Sequence, residues 1–163
     1  MSLQTSSIIR NVDVDGPRSI VSYNPATEEE IATVSALDGE GAVGAVEAAK
    51  EAFPEWSHTP VKERQKILAR WLEIMVAERD ELARLVSTEG GKPVNEARLV
   101  DVFPGLETLS FYSKNLSKLL AFKPVKPYQL LFAHWKAGYR FDPLGVMAII
   151  TPWNDPVGIP MAE

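Results

Sequence analysis

The 163-residue sequence predicts an α/β fold, with helices packed around the start of a parallel sheet and a two-stranded ribbon standing apart from them. Three observations carry that expectation. Between residues 42 and 120, long stretches repeat apolar residues at helical spacing. The run Val146-Met147-Ala148-Ile149-Ile150 is apolar throughout and lies between turn signals, as strands buried on both faces of a parallel sheet do. Residues 122–142 alternate aromatics in the manner of two extended segments joined by a loop. The chain therefore divides into 1–121, 122–142 and 143–163.

Residues 8–37 read as short extended pieces. Ile8-Ile9 and Val12 precede a turn at Gly16-Pro17. Ile20, Val21 and Tyr23 lead into a second turn at Asn24-Pro25-Ala26-Thr27, and Ile31, Thr33 and Val34 suggest the returning strand. Asp38 is placed to cap a first helix, whose stripe is Val43, Val46, Ala49 and Phe53 and which Pro54 should stop. Thr59-Pro60 opens a second helix with a cap and a first-turn proline. Val61, Leu68, Leu72, Met75, Leu82 and Val86 form its apolar face, and Gly90-Gly91 ends it with a left-handed cap. A third helix, from about Val94 to Leu120, carries Ala97, Val100, Phe103, Leu106, Leu109 and Tyr112 on one side. Pro104 inside it predicts a kink or a break.

The segment after Leu120 holds two early prolines and then Phe132, Trp135, Tyr139 and Phe141. A lone two-stranded ribbon is marginal in water, so this one needs a partner surface from its own chain or another subunit. Pro143-Leu144-Gly145 is a turn, the apolar run follows, and Asp155-Pro156 is a helix start. The chain thus ends on strand, tight turn, helix.

Composition narrows the function classes. Seventeen basic and 22 acidic residues give a net charge of −5, and no basic stripe interleaves with aromatics, which argues against nucleic acid. No apolar run approaches a membrane span, and the opening MSLQTSSIIRNVDV lacks the basic flank and apolar stretch of a signal peptide. The expectation is a cytoplasmic protein. There is no cysteine, which excludes disulfides, thiolate metal sites and a cysteine nucleophile from these residues. His58 and His134 stand without carboxylate partners at ligand spacing, so no metal site is expected. Gly90-Gly91-Lys92 lacks the preceding strand of a phosphate loop and reads as a helix cap; Glu28-Glu29-Glu30 reads as a solvated charge run.

The candidate site is the turn after the apolar run. In open α/β sheets, ligands bind beyond the carboxyl ends of the strands, where Pro152, Trp153 and Asn154 would lie. Asn154 offers an uncharged amide with two donors, suited to an oxyanion that develops only in a transition state. The plainer alternative stands beside it: Asn or Asp before proline often only caps a helix, and a tryptophan after a strand often only packs.

The segment PLGVMAIITPWNDP, Pro143–Pro156, resembles the strand and turn of the aldehyde dehydrogenase superfamily, whose pattern is P-x-G-V, an apolar strand, then P-W-N-x-P. Further likenesses follow in order upstream. YNPATEEEIATV, Tyr23–Val34, is similar to the family's N-P-A-T-x-E-x-I segment, AVEAAKEAFPEW and KERQKILARWLEIM to its first two helices, and TEGGKP, Thr88–Pro93, to its E-x-G-K-P turn. The resemblance covers the chain from about Ile20 onward.

It implies the N-terminal portion of that fold: part of an NAD(P)-binding domain over 1–121, an oligomerisation ribbon over 122–142, and the first strand and turn of the Rossmann-like region over 143–163. It also implies a dehydrogenase that oxidises an aldehyde with NAD or NADP, as a homodimer or homotetramer joined through the ribbon. Asn154 matches the asparagine that helps hold the aldehyde-derived oxyanion. Ile150, Thr151, Pro152 and Trp153 match positions lining the dinucleotide site. In the family mechanism a cysteine thiolate attacks the aldehyde, hydride passes to NAD(P), and a glutamate-activated water releases the acid from the thioester.

This sequence departs from the pattern in having no cysteine, and it lacks the glutamate and lysine of the family's later motifs. Asp155 stands where the family often has an aromatic. The expectation is an incomplete piece that does not oxidise aldehydes by itself. Two other readings remain open: a non-catalytic homologue acting as an oligomer-interaction module, and an acylating or phosphorylating semialdehyde dehydrogenase branch.

Overall fold

The structure of the chain, a computed structural model, describes residues 5–162. The first four residues, read above as part of an N-terminus without an export signal, and Glu163 lie outside them. Four short strands come first, in two antiparallel hairpins: β1 (Ser7–Ile9) with β2 (Val12–Val14), and β3 (Arg18–Tyr23) with β4 (Glu30–Ala36). In the second pair Ile20 faces Val34 and Val21 faces Thr33. The Asn24–Thr27 turn closes that hairpin, with the Asn24 side chain accepting from the Ala26 N–H at 2.9 Å. These are the extended pieces and turns that the sequence predicts.

Helix α1 (Gly39–His58) starts at Asp38, whose carboxylate accepts from the Gly41 N–H at 3.0 Å. It does not stop at Pro54 as expected; it runs one further turn. Pro54 removes only its own N–H from the ladder, close to the helix end. In the last turn the Pro54 carbonyl accepts from Ser57 Oγ at 2.9 Å and meets His58 Nδ1 at 2.7 Å. The terminator is Pro60, which disfavours helical backbone at Thr59 and leaves it extended, with ψ at 125°. The stripe expected to face a core is not buried: Val43 and Val46 are exposed, and α1 contributes no buried residue.

Helix α2 (Val61–Gly90) forms, and its start differs from the expectation: Pro60 is itself the capping residue, without a side-chain cap, and the Thr59 hydroxyl donates back to the Glu55 carbonyl at 3.1 Å. Gly91 takes the left-handed conformation at its end, with φ at 74°. A side chain at Gly91 would be strained by backbone conformation and would also meet the Pro25 ring at 2.7 Å, so glycine lets the β3–β4 hairpin lie against the helix end. Beyond it, α3 (Val94–Glu96) passes into a π-helical turn (Ala97–Val102) and then α4 (Phe103–Leu119). The irregularity predicted at Pro104 is this wide turn, one turn earlier. Within it the Phe103 N–H reaches five residues back to the Arg98 carbonyl. The extra residue moves the helical phase. Val100 and Phe103, expected inside, are exposed, while Asp101 and Val102 are buried.

The core is helical. Met75, Ala83 and Val86 of α2 meet Ala97, Val102 and Leu109 of the π turn and α4, and Val157 closes the end. Gln65 pins the helices at the other end by donating to the Ser113 carbonyl at 2.8 Å. Helix α5 (Gly158–Ala162) packs on α4, close enough that a side chain at Gly105 would press on Met161 and Val157.

Two expectations meet the structure differently after Leu120. The ribbon forms: β5 (Lys123–Val125) pairs antiparallel with β6 (Ala137–Tyr139), with a 3-10 turn over Leu130–Phe132 between them. Phe132 stacks against Trp135 at 4.9 Å, and Tyr139 meets Phe141 edge-on at 5.9 Å. The run Val146–Ile150, by contrast, is not a buried strand. It is irregular and exposed, and the three sheets among the described residues are all antiparallel pairs. A central strand must pair its backbone on both sides, and among the described residues nothing lies beside this run to do so.

Candidate functional site

The turn Thr151–Val157 stands where the apolar run gives way to α5. It is shaped by two anchors, one on a side chain and one on its backbone. The Asp155 carboxylate accepts from the Gly158 N–H at 2.8 Å, in the manner of a helix cap. Gly158 has no room for a side chain there, since a Cβ would lie 2.8 Å from that same carboxylate and 3.3 Å from the Asp101 carbonyl. One residue earlier, the Asn154 carbonyl accepts from Lys92 Nζ at 2.7 Å. The cap in this turn is thus Asp155, and Asn154 is left exposed with its backbone held.

Lys92 is itself fixed. Its carbonyl accepts from Ser87 Oγ at 2.7 Å, just after the left-handed Gly91. Its ammonium donates to both oxygens of Asp101, at 3.0 and 2.9 Å, as well as to Asn154. Its three protons are therefore all used. The Asp101 side chain is 0% exposed and that of Lys92 17%, so this is a buried ion pair with one polar arm reaching the turn.

The anchored turn forms one wall of a cleft of about 240 Å³, lined by Val86, Glu89, Gly90, Lys92, Trp153, Asn154 and Pro156. The residues that line it are chemically mixed: an aromatic, an uncharged amide residue, an ion-paired lysine and a glutamate. Of the five residues singled out in the sequence, Trp153 and Asn154 meet in this cleft. Ile150, Thr151 and Pro152 do not line it; Ile150 is 97% exposed and Trp153 89%. Among the described residues no cluster of three or more acidic, histidine or cysteine side chains is placed to hold a metal. No described helix is long and apolar enough to cross a membrane.

Sequence reading missed Lys92 and Asp101 as site residues. Lys92 stands in the TEGGKP segment that resembles the family turn, but nothing local gives it a partner. Asp101 lay on what a regular helical period makes the outer face, and only the π turn carries it inward.

Comparison with known proteins fits this geometry to a family. The aldehyde dehydrogenase family model matches residues 12–163, and the chain belongs to that family. It is similar to the glutarate-semialdehyde dehydrogenase of Pseudomonas putida, 33% identical over 156 residues covering 91% of the chain and 30% of the relative. It is also similar to the mitochondrial succinate-semialdehyde dehydrogenase of Arabidopsis thaliana, 30% identical over 165 residues covering 96% and 30%. Among solved structures, an NAD complex from Sinorhizobium meliloti 1021, described provisionally as a methylmalonate-semialdehyde dehydrogenase, superposes with a TM-score of 0.82 at 28% identity, covering 99% of this chain and 32% of that one. An indole-3-acetaldehyde dehydrogenase in its apo form gives 0.86 at 24% identity over 99% and 38%, a likeness of fold. The chain spans about 30% of the length of the curated relatives it matches. Its arrangement of helices and strand pairs is accordingly a part of the aldehyde dehydrogenase fold.

Proposed function

We propose that this chain is the N-terminal portion of an NAD(P)-dependent aldehyde dehydrogenase and supplies one wall of its active site. In this reading Asn154 donates its amide to the oxyanion formed when a thiolate attacks an aldehyde. The thiolate comes from outside these 163 residues, which contain no cysteine. The observation that carries the reading is the state of Asn154: an exposed, uncharged donor on a turn whose backbone is fixed by Lys92 on one side and by the Asp155 cap on the other. A donor of that kind is oriented before charge develops and is not neutralised by a counter-ion.

Ile150, Thr151, Pro152 and Trp153 would line the dinucleotide. The fit is chemical: Ile150 and Trp153 present apolar faces to solvent, the surface that a planar ring system covers. When bound, the dinucleotide supplies the hydride acceptor. The choice between NAD and NADP, and between simple aldehydes and semialdehydes, belongs to residues outside this turn. The test is aldehyde-dependent formation of reduced nicotinamide by the protein that carries this chain together with a downstream cysteine. Turnover is expected there, and none from residues 1–163 alone. A longer protein with its cysteine that oxidises no aldehyde would end this reading.

The same proposal makes residues 122–142 a subunit-joining ribbon. Its tip exposes Tyr128 fully and Leu130 to 90%, an apolar surface beyond what a free two-stranded ribbon holds in water. Changing Leu130 and Leu131 together to Asp is expected to lower the oligomeric state of the enzyme, read by sedimentation. An unchanged assembly would remove the ribbon from the interface.

A further inference from the structure

We propose that Lys92 is a positioning residue for Asn154, and that the Lys92–Asp101 ion pair exists at this place to aim the Asn154 amide; this rests on the reading of Asn154 given above. Lys92 follows the Gly91 cap of α2 and Asp101 lies in the π turn, so the pair ties the end of α2 to the π turn, the two elements that carry Val86 and Val102 of the core. Two of the three ammonium protons go to the carboxylate and the third to the Asn154 carbonyl, 62 residues away in sequence. The Asn154 carbonyl belongs to the peptide plane between Asn154 and Asp155, and the Asp155 side chain is committed to the Gly158 N–H. Holding both fixes the backbone from which the Asn154 side chain projects. The carboxylate matters because it keeps the ammonium pointing at the turn; without it, a lysine that is already 17% exposed would swing to water.

The π turn is the device that makes this possible. Wide helical turns add one residue and re-aim a side chain. Here the added residue takes Asp101 from the solvent face to a position with 0% exposure beneath the turn. Asp101 is fully buried, and Lys92, though it lines the cleft, has its ammonium committed to Asp101 and to the Asn154 carbonyl, so their action is through the backbone of Asn154.

The experiment is a double-mutant cycle in the aldehyde-oxidising protein that carries this chain, combining the Lys92 change with Asn154→Ala. Lys92→Met leaves Asp101 buried without its counter-ion and can disturb folding, so Lys92→Met/Asp101→Leu, which removes both charges, is run beside it. Either variant is expected to lower kcat by about 10- to 100-fold with the KM for aldehyde little changed, the scale of a misplacement of about 1 Å. Amide hydrogen exchange over residues 153–157 is expected to rise in both. In the Asn154→Ala background the same changes should lower kcat no further. If the losses multiply, or if exchange over 153–157 is unchanged, Lys92 does not act through Asn154 and the proposal is overturned while the reading of Asn154 stands. If Asn154→Ala itself leaves kcat unchanged, the reading of Asn154 falls and takes the proposal with it.

Discussion

Asn154→Ala is expected to lower kcat for aldehyde oxidation by about 10²- to 10³-fold, or roughly 2.7–4 kcal/mol of barrier, the loss that follows removal of one oxyanion donor. The loss should fall on kcat and kcat/KM alike, because the amide serves a charge that exists only in the transition state. The structure makes this variant a clean one. Asn154 holds the turn through its backbone carbonyl, which alanine keeps, and the helix cap belongs to Asp155. Unfolding of the variant should therefore match the parent within about 0.5 kcal/mol, as for a surface change away from special features. Asn154→Asp is expected to be worse than alanine, since it sets a carboxylate against the developing negative charge. Steady-state kinetics with thermal denaturation on the same preparations separate the two quantities. A loss in kcat of less than threefold, or one tracked by an equal loss of stability, would return Asn154 to the role of a turn residue.

What could be read from the sequence, and what could not, divides by the range of the interactions. Asp38, Gly91 and Asn24 do their work within a few residues, and each sits as the local chemistry of caps and turns dictates. Pro54 was misread because a proline one turn from a helix end takes away little, while Pro60 governs the residue before it. The apolar run Val146–Ile150 carries the composition of a central strand, but a strand is made by its neighbours, and none lies beside it among the described residues. For the site, the turn itself was legible and its support was not. Asn154 and Trp153 are legible as candidates in a short motif; Lys92 and Asp101 are not, because their meeting depends on one extra residue in a helical turn. A regular period places Val100 and Phe103 inward, and the structure places Asp101 there instead. The plainer alternative for the Asn-Asp-Pro turn was half right: an acidic side chain does cap the helix, and it is the neighbour of the residue proposed to act.

Lys92→Met is expected to destabilise the protein by about 3–5 kcal/mol, because it strands the Asp101 carboxylate, 0% exposed, without its counter-charge. At roughly 2–4 °C per kcal/mol for a domain of this size, the melting temperature should fall by roughly 6–20 °C. Asp101→Leu should cost less, since the ammonium left behind is already 17% exposed and can turn to water. The double variant Lys92→Met/Asp101→Leu should recover most of the loss. Apolar side chains of similar volume commonly replace a buried ion pair at no net cost, and Val86, which lines the same cleft as Lys92, belongs to the apolar core. Equal melting temperatures for the single and double variants would show that Asp101 is not charged and isolated when Lys92 is removed, and would sink this account. The order of stabilities also bears on why an ion pair is here at all. If two apolar residues serve the fold as well, the pair is not explained by stability. What methionine and leucine cannot do is donate to the Asn154 carbonyl, so stability regained without turnover regained would assign the pair to the turn.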